Sequence, residues 1–240
     1  MADIQCSFAR IEKKYLISPV QQELILAGAR RYMKEDVYGR YSISSIYYDT
    51  PDFSLIRASL EKPAYKEKLR VRSYGTPRDG ENVFVELKKK VGGVVYKRRT
   101  VMRAQDAPRY LAGESALSPG GQISREIDYF QRFHAAAPAV FIGYDRTALS
   151  GIDEPELRIT FDAALRWRTH DLDLRLGSAG TPLLPPGRVL MEIKIPGAAP
   201  LWLCRLLSRA RAYPTSFSKY GACYQHFILP AQRKELDISA

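Results

Sequence analysis

The chain is poor in the residues that build redox, metal–thiolate and histidine chemistry. Its three cysteines, Cys6, Cys204 and Cys223, are odd in number, widely scattered and without metal-site spacing. That excludes a disulfide framework or a zinc cluster and points to free thiols in a reducing compartment. The three histidines, His134, His170 and His226, are equally scattered. His134 falls on the apolar side of a helical segment and reads as structural. No Cys/His or Ser/His nucleophile arrangement suggests itself. Neither Gly-x-x-x-x-Gly-Lys-Ser/Thr nor Gly-x-Gly-x-x-Gly occurs, which removes the usual nucleotide loops. No apolar run approaches the length that crosses a bilayer. The start, Met1-Ala2-Asp3-Ile4-Gln5, lacks the basic and apolar regions of a secretory signal. The expectation is a soluble, cytoplasmic protein.

Negative charge is scarce too. Against 37 Lys and Arg stand 26 Asp and Glu, for a net charge of +11. Such a balance favours an anionic partner: nucleic acid, a phosphate-rich small molecule, polyphosphate or an anionic lipid surface. Hydrophobic content of 45% is ordinary for a globular chain, and 240 residues suffice for a substantial core. No repeat, low-complexity tract or linker appears, so residues 1–240 are expected to form one domain.

The cations are patterned. In Tyr65-Lys66-Glu67-Lys68-Leu69-Arg70-Val71-Arg72-Ser73-Tyr74 residues two apart share a strand face. Lys66, Lys68, Arg70 and Arg72 form one row, with Leu69 and Val71 behind it. The same alternation puts Arg10, Glu12 and Lys14 on one face of a strand over 8–17. It groups Glu86, Lys88 and Lys90 in a strand over 83–91, and Tyr144 with Arg146 over 140–149. Arg158, Thr160 and Asp162 share a face over 156–166, as do Glu192 and Lys194 over 189–195. Gly92-Gly93 is a two-residue hairpin signal, and the return strand over 94–103 carries Lys97, Arg98 and Arg99. A further strand is read over 41–49. Ser18-Pro19-Val20-Gln21 is a helix start, and that helix is expected to reach about Met33 with Val20, Leu24 and Ala27 buried. Residues 107–121 read as loop with room for one helical turn. Further helices are read over 124–135, 200–211 and 218–227.

At least six strands thus repeat a basic face with an apolar face behind it, and the helices need an apolar surface to cover. One arrangement meets both demands: an α+β fold whose sheet closes into an antiparallel barrel, charged faces inward and helices outside. A lumen lined by Arg and Lys must be wet and hold an anion. Its few carboxylates suit Mg²⁺ or Mn²⁺, which bind through one or two carboxylates plus substrate phosphates.

The chain resembles the catalytic domain of the VTC polyphosphate polymerases, in a stand-alone bacterial form, within the triphosphate tunnel metalloenzyme superfamily. The resemblance is carried by Arg10-Ile-Glu12-Lys-Lys14-Tyr15, Ile46-Tyr-Tyr-Asp49-Thr50, Lys68-Leu-Arg70-Val-Arg72 and Glu86-Leu-Lys88. It continues in order through Tyr144-Asp-Arg146, Leu157-Arg158-Ile-Thr-Phe-Asp162, Leu190-Met-Glu192-Ile-Lys194 and Phe217-Ser218-Lys219-Tyr220. It implies an eight-stranded tunnel in which Lys14, Arg70, Arg72, Lys88 and Arg146 act on ATP, pyrophosphate and inorganic polyphosphate. Arg10, Lys68, Lys97, Arg99, Tyr144, Arg158, Ser218 and Lys219 would bind substrate, and Glu192, with Glu12 or Glu86, would hold Mn²⁺ or Mg²⁺. Two departures stand out. Arg10 replaces the first glutamate of the hydrolases' Glu-x-Glu-x-Lys, and Ser216 stands where a basic residue is expected. The leading expectation is transfer of the ATP γ-phosphate to a growing polyphosphate chain. The alternatives are a hydrolase using the same tunnel and a non-catalytic binder of polyphosphate or RNA. Nucleic acid is the less favoured ligand, and a membrane protein that receives the product is an open expectation.

Overall fold

The computed structural model describes residues 10–92, 94–114 and 117–239. The chain start with Cys6, the side chain of Arg10, and Gly93 of the hairpin signal lie outside what is described.

The elements run β1 (Arg10–Ile17), α1 (Pro19–Ala29), β2 (Met33–Asp49), α2 (Ser54–Leu60), β3 (Tyr65–Tyr74), β4 (Asn82–Val91) and β5 (Val94–Arg103). After α3 (Asp106–Leu111) and α4 (Gly121–His134) come β6 (Ala137–Gly151), β7 (Arg158–Arg168), β8 (Thr181–Pro182) and β9 (Val189–Pro196). The chain ends in α5 (Leu201–Arg209), α6 (Lys219–Cys223), a π-helical turn (Tyr224–Ile228) and α7 (Leu229–Ser239). The strands hydrogen-bond in the order β1-β9-β7-β6-β2-β3-β4-β5, with β8 on β7. The fold is therefore α+β with one large sheet, and every ladder with a described register is antiparallel. The hydrogen-bonded path has two ends, β1 and β5, so the closed barrel is not shown.

The chain divides into two compact units. The first takes the chain up to Tyr41, Tyr144–Leu165 and Leu184–Phe217; the second takes Ser42–Gly143, Arg166–Leu183 and the chain from Ser218. Each has its own core. In the first, Tyr15 and Ile17 pack with Leu157, Ile159, Phe161, Met191, Ile193, Ile25 and Leu203. In the second, Leu69, Val71, Val83, Val85 and Leu87 pack against Ile127, Phe130 and Phe141. In both, the apolar strand faces read from the sequence are the buried ones, apart from Ile11 beside Tyr15 on β1, which is 44% exposed.

Ser18 caps α1 as expected: its hydroxyl accepts from the Gln21 amide, and the Gln21 side chain accepts from the Ser18 amide. The helix stops at Ala29, four residues before the expected end, because β2 begins at Met33. Its buried face is Ile25 and Ala29, and Val20 is 72% exposed. Gly28 explains the rotation. A Cβ there would lie 2.4 Å from Leu206 Cδ1, so the glycine lets α5 approach that side. β2 is eight residues longer at its start than the sequence suggested, since the polar run Lys34-Glu35-Asp36 conceals the alternation. Residues 106–111 form a short helix, α3, at the start of the segment read as loop with room for one helical turn.

Candidate functional site

Three strands of the second unit set the site's register. Opposite residues in β3, β4 and β5 make rows, with neighbouring strands about 4.8 Å apart. One row is Tyr47–Arg70–Glu86–Arg99, its first member on β2. The adjacent row is Lys68–Lys88–Lys97, three cations side by side. Beyond it Lys66 faces Lys90, and on the other flank Ser45 faces Arg72.

Glu86 is the counter-anion of this surface. Its side chain is 2% exposed. Arg70 Nη2 lies 2.7 Å from one carboxylate oxygen, with Arg72 Nη1 at 3.8 Å. Lys97 Nζ and Arg99 Nη2 reach the other at 2.8 and 2.5 Å. Burial alone would raise its pKa, but Arg70, Arg72 and Lys97 outweigh burial and hold it well below the carboxylate range. One carboxylate cannot neutralise the four cations around it. The Lys88 side chain is exposed and makes no hydrogen bond or ion pair among the described residues. Burial lowers the pKa of Lys66, and Lys90, Lys62 and Lys88 lower it further, as like charges do.

The edge of this surface is built by β2 and α6. Lys68 Nζ donates to Ser218 Oγ at 3.4 Å, and that oxygen also accepts from the Gly221 amide, capping α6 at Lys219. Tyr47 is buried, its ring 5.0 Å from Tyr220, and its hydroxyl accepts from Arg70 Nη1 at 3.1 Å. Burial pushes its pKa up, but Arg70, Arg72 and Lys68 win and bring it down to about 8. The shift has a visible consequence. A tyrosinate absorbance step with midpoint near pH 8 is expected on titration, absent from Tyr47→Phe. Because the folded value lies below the ordinary 10, the ionised form adds stability fully above pH 10, lost as pH falls through about 8. An oligophosphate seated on the same cations should move the midpoint upward.

In the first unit the polar row is Lys14–Glu192–Thr160 across β1, β9 and β7, with Glu12–Lys194–Arg158 beside it. Lys14 Nζ lies 3.5 Å from Glu12 and 3.9 Å from Glu192, and donates to the Phe217 carbonyl at 3.0 Å. Arg146 holds Asp162 through two hydrogen bonds, 2.6 and 2.7 Å, with its guanidinium 5.2 Å from the Tyr144 ring centroid. Burial works against that charge, yet the Asp162 bond raises the Arg146 pKa further. Arg158 pairs with Asp36 at 2.8 Å.

The predicted site residues thus fall into two groups: Arg70, Arg72, Lys88, Lys68, Lys97, Arg99, Glu86, Ser218 and Lys219 in the second unit, and Lys14, Arg146, Tyr144, Arg158, Glu12 and Glu192 in the first. Three members of these rows were not among the candidate site residues. The parity of β2 puts two of them, Tyr47 and Ser45, on the charged face. Thr160 is the third: its hydroxyl is buried and has no hydrogen-bond partner among the described residues. The signal was present in its position between Arg158 and Asp162.

For a metal, Glu12 and Glu192 flank one ammonium group and supply two oxygen-donor side chains. No group of three or more His, Cys, Asp or Glu that could hold a metal occurs among the described residues. Two carboxylates fit an ion that takes its remaining oxygens from phosphate and water, as Mg²⁺ and Mn²⁺ do. Glu86 fits poorly, being surrounded by cations.

Fold and site together define a class: an α+β protein with a large antiparallel sheet, in each unit of which the strands carry lysine and arginine rows on one face and bury a core with the other. The chain belongs to the VTC domain family, whose model matches residues 9–228. It is 28% identical over 219 residues to subunit 4 of the vacuolar transporter chaperone complex of Trypanosoma brucei, covering 75% of this chain and 27% of that protein. The same subunit of Schizosaccharomyces pombe is 25% identical over 177 residues, covering 65% of this chain and 24% of the relative. The chain therefore matches less than a third of the length of these relatives. Among solved structures, a Hippeastrum protein described as having a dominant triphosphatase activity superposes with a TM-score of 0.52. The two are 15% identical, the match covering 90% of this chain and 95% of the other, which establishes likeness of fold. No helix of the described residues is long and apolar enough to cross a membrane.

Proposed function

We propose that this chain is a polyphosphate polymerase that transfers the γ-phosphate of ATP to the end of a polyphosphate chain and releases ADP. The observation that carries the reading is the Lys68–Lys88–Lys97 row beside Arg70–Glu86–Arg99: the register sets five cations and one carboxylate side by side in these two rows. Phosphates repeating along a chain are the matching ligand. The closed eight-stranded tunnel belongs to this proposal and rests on the family resemblance.

An oxygen of the terminal phosphate attacks the γ-phosphorus, and the bond from that phosphorus to the β-phosphate oxygen breaks. The attacking oxygen is already ionised near neutral pH, so no strong general base is needed, and the protein's work is positioning and charge stabilisation. Arg70 and Arg72 offer planar forks to phosphate oxygens; Lys88, Lys68 and Lys97 offer point charges. By the family resemblance, Lys14, Arg146, Tyr144 and Arg158 are phosphate-binding candidates within the first unit, and Ser218 and Lys219 within the second. Glu192 and Glu12 would hold Mn²⁺ or Mg²⁺, which supplies neutralisation of phosphate oxygens. Glu86 keeps its neighbours aligned as their counter-ion.

Thr160 joins the contacts in the first unit. A buried hydroxyl without a partner costs free energy unless a ligand satisfies it. Thr160→Val is therefore expected to leave the melting temperature of the unliganded protein unchanged or higher. It should weaken tripolyphosphate binding about five- to tenfold, the worth of one hydrogen bond, with Thr160→Ser restoring it. Differential scanning fluorimetry with and without tripolyphosphate checks both arms.

The deciding test incubates the purified protein with ATP and Mn²⁺, with and without pyrophosphate primer. Chains are resolved on a gel and free phosphate is measured alongside. A ladder of long chains with ADP, missing in Arg70→Ala, is expected. Free phosphate without chains makes the protein a hydrolase; tight polyphosphate binding with neither product makes it a binding module.

A further inference from the structure

The β4–β5 hairpin has a second character that phosphate binding does not use. Its sequence reads Lys88-Lys89-Lys90-Val91-Gly92, then Val94-Val95-Tyr96-Lys97-Arg98-Arg99: an apolar tip between two basic collars. The tip is open to solvent, with Val91, Val94, Val95 and Tyr96 each 46–55% exposed. Tyr65 pairs with Val91, which pairs with Val94, so the apolar row continues across β3. α4 extends it. Tyr129 and Phe133, 63% and 70% exposed, stack with centroids 6.0 Å apart, and Tyr129 lies close enough to Tyr65 to perturb its ionisation.

Charge surrounds this patch, and it is mostly of one sign. Glu126 is held by Lys89 and Arg98, and Glu67 by His134, so both acids are engaged. Lys62, Lys90 and Arg125 have no ion pair among the described residues, and Arg125 and Arg132 share the outer face of α4 with the two aromatics. Half-exposed valines and aromatics collared by cations suit one environment: apolar groups at the headgroup boundary and Lys and Arg on anionic headgroups.

We infer that the tip of the β4–β5 hairpin and the outer face of α4 form a docking surface for an anionic lipid bilayer. The inference does not depend on the polymerase reading, since the apolar residues it needs stand outside the cation rows.

The experiment is co-sedimentation with phosphatidylcholine vesicles with and without phosphatidylglycerol, at low and high salt. Wild-type protein is expected to bind the anionic vesicles and to be released by salt. The variants V94D/V95D and F133D should each bind about tenfold more weakly or worse, as apolar contact at the interface is lost. Both should keep the wild-type circular dichroism and tripolyphosphate thermal shift, which separates lost docking from lost folding. No binding by the wild type overturns the inference. So does binding that survives in both variants and is competed away by tripolyphosphate, which would assign it to the cation rows. Lipid-free self-association abolished by the same variants would give the surface to a second copy of the chain and overturn it as well.

Discussion

Lys88→Ala is expected to lower chain-extending turnover by about 100- to 1000-fold, the loss found when one charge-stabilising donor is removed from a preorganised site. Its folding should be untouched or improved. The side chain is exposed, so no packing is lost, and the change relieves repulsion from Lys68 and Lys97 on either side. A gel assay of polymer length and a melting curve separate the two effects. Arg70→Ala should lose turnover to a similar degree by a different route, because Arg70 also holds Glu86 and the Tyr47 hydroxyl. In that variant Glu86 keeps Arg72, Lys97 and Arg99, so the fold is retained. Unchanged turnover in both variants, or an unfolded Arg70→Ala, would remove these residues from the machinery.

Glu86→Ala should do the opposite: unfold first and lose activity as a consequence. It leaves four cations around one vacated, buried position. Removing one partner of a buried charge cluster costs about 3–5 kcal/mol, and the partial exposure of the Arg and Lys side chains puts this case near the lower figure, about 3 kcal/mol. For a chain of this length that is roughly 6–12 °C in Tm. Tripolyphosphate should recover much of the loss by supplying the missing negative charge, and uncharged additives should not. The pH dependence has a fixed sign. A carboxyl held below its ordinary pKa contributes stability fully above about pH 4.5. That contribution is lost as pH falls through the lower folded value. The wild type should therefore lose stability more steeply than Glu86→Gln below that pH. Equal acid profiles would contradict the role given to Glu86.

What could be read from the sequence follows from periodicity. Strand alternation is strict, so the faces of β3, β4 and β9 and the burial of Leu69, Val71 and Leu87 were legible at once. A two-residue turn between Val91 and Val94 also fixes that Lys88 faces Lys97. Rotation about a helix is set by its neighbour instead, which is why Val20 turned out exposed: Gly28 and Leu206 decide it, and they are far apart in sequence. The start of β2 hid behind polar residues. Thr160 and Tyr47 stayed out of the candidate site because neither carries a formal charge, although both share a face with residues that do. Glu86 was legible as a carboxylate on the charged strand face, but whether it meets a metal or cations depends on the register across three strands.

The long strands β2, β6 and β7 each pass from one compact unit into the other. Neither unit is a continuous stretch of chain: each is assembled from three segments. Neither half can therefore be cloned, expressed or exchanged as a contiguous piece, and a recombination breakpoint anywhere between the first and last crossing severs both. Such a sheet is inherited whole, and its diversification must proceed by substitution on the strand faces or by insertion in the loops, not by shuffling of parts.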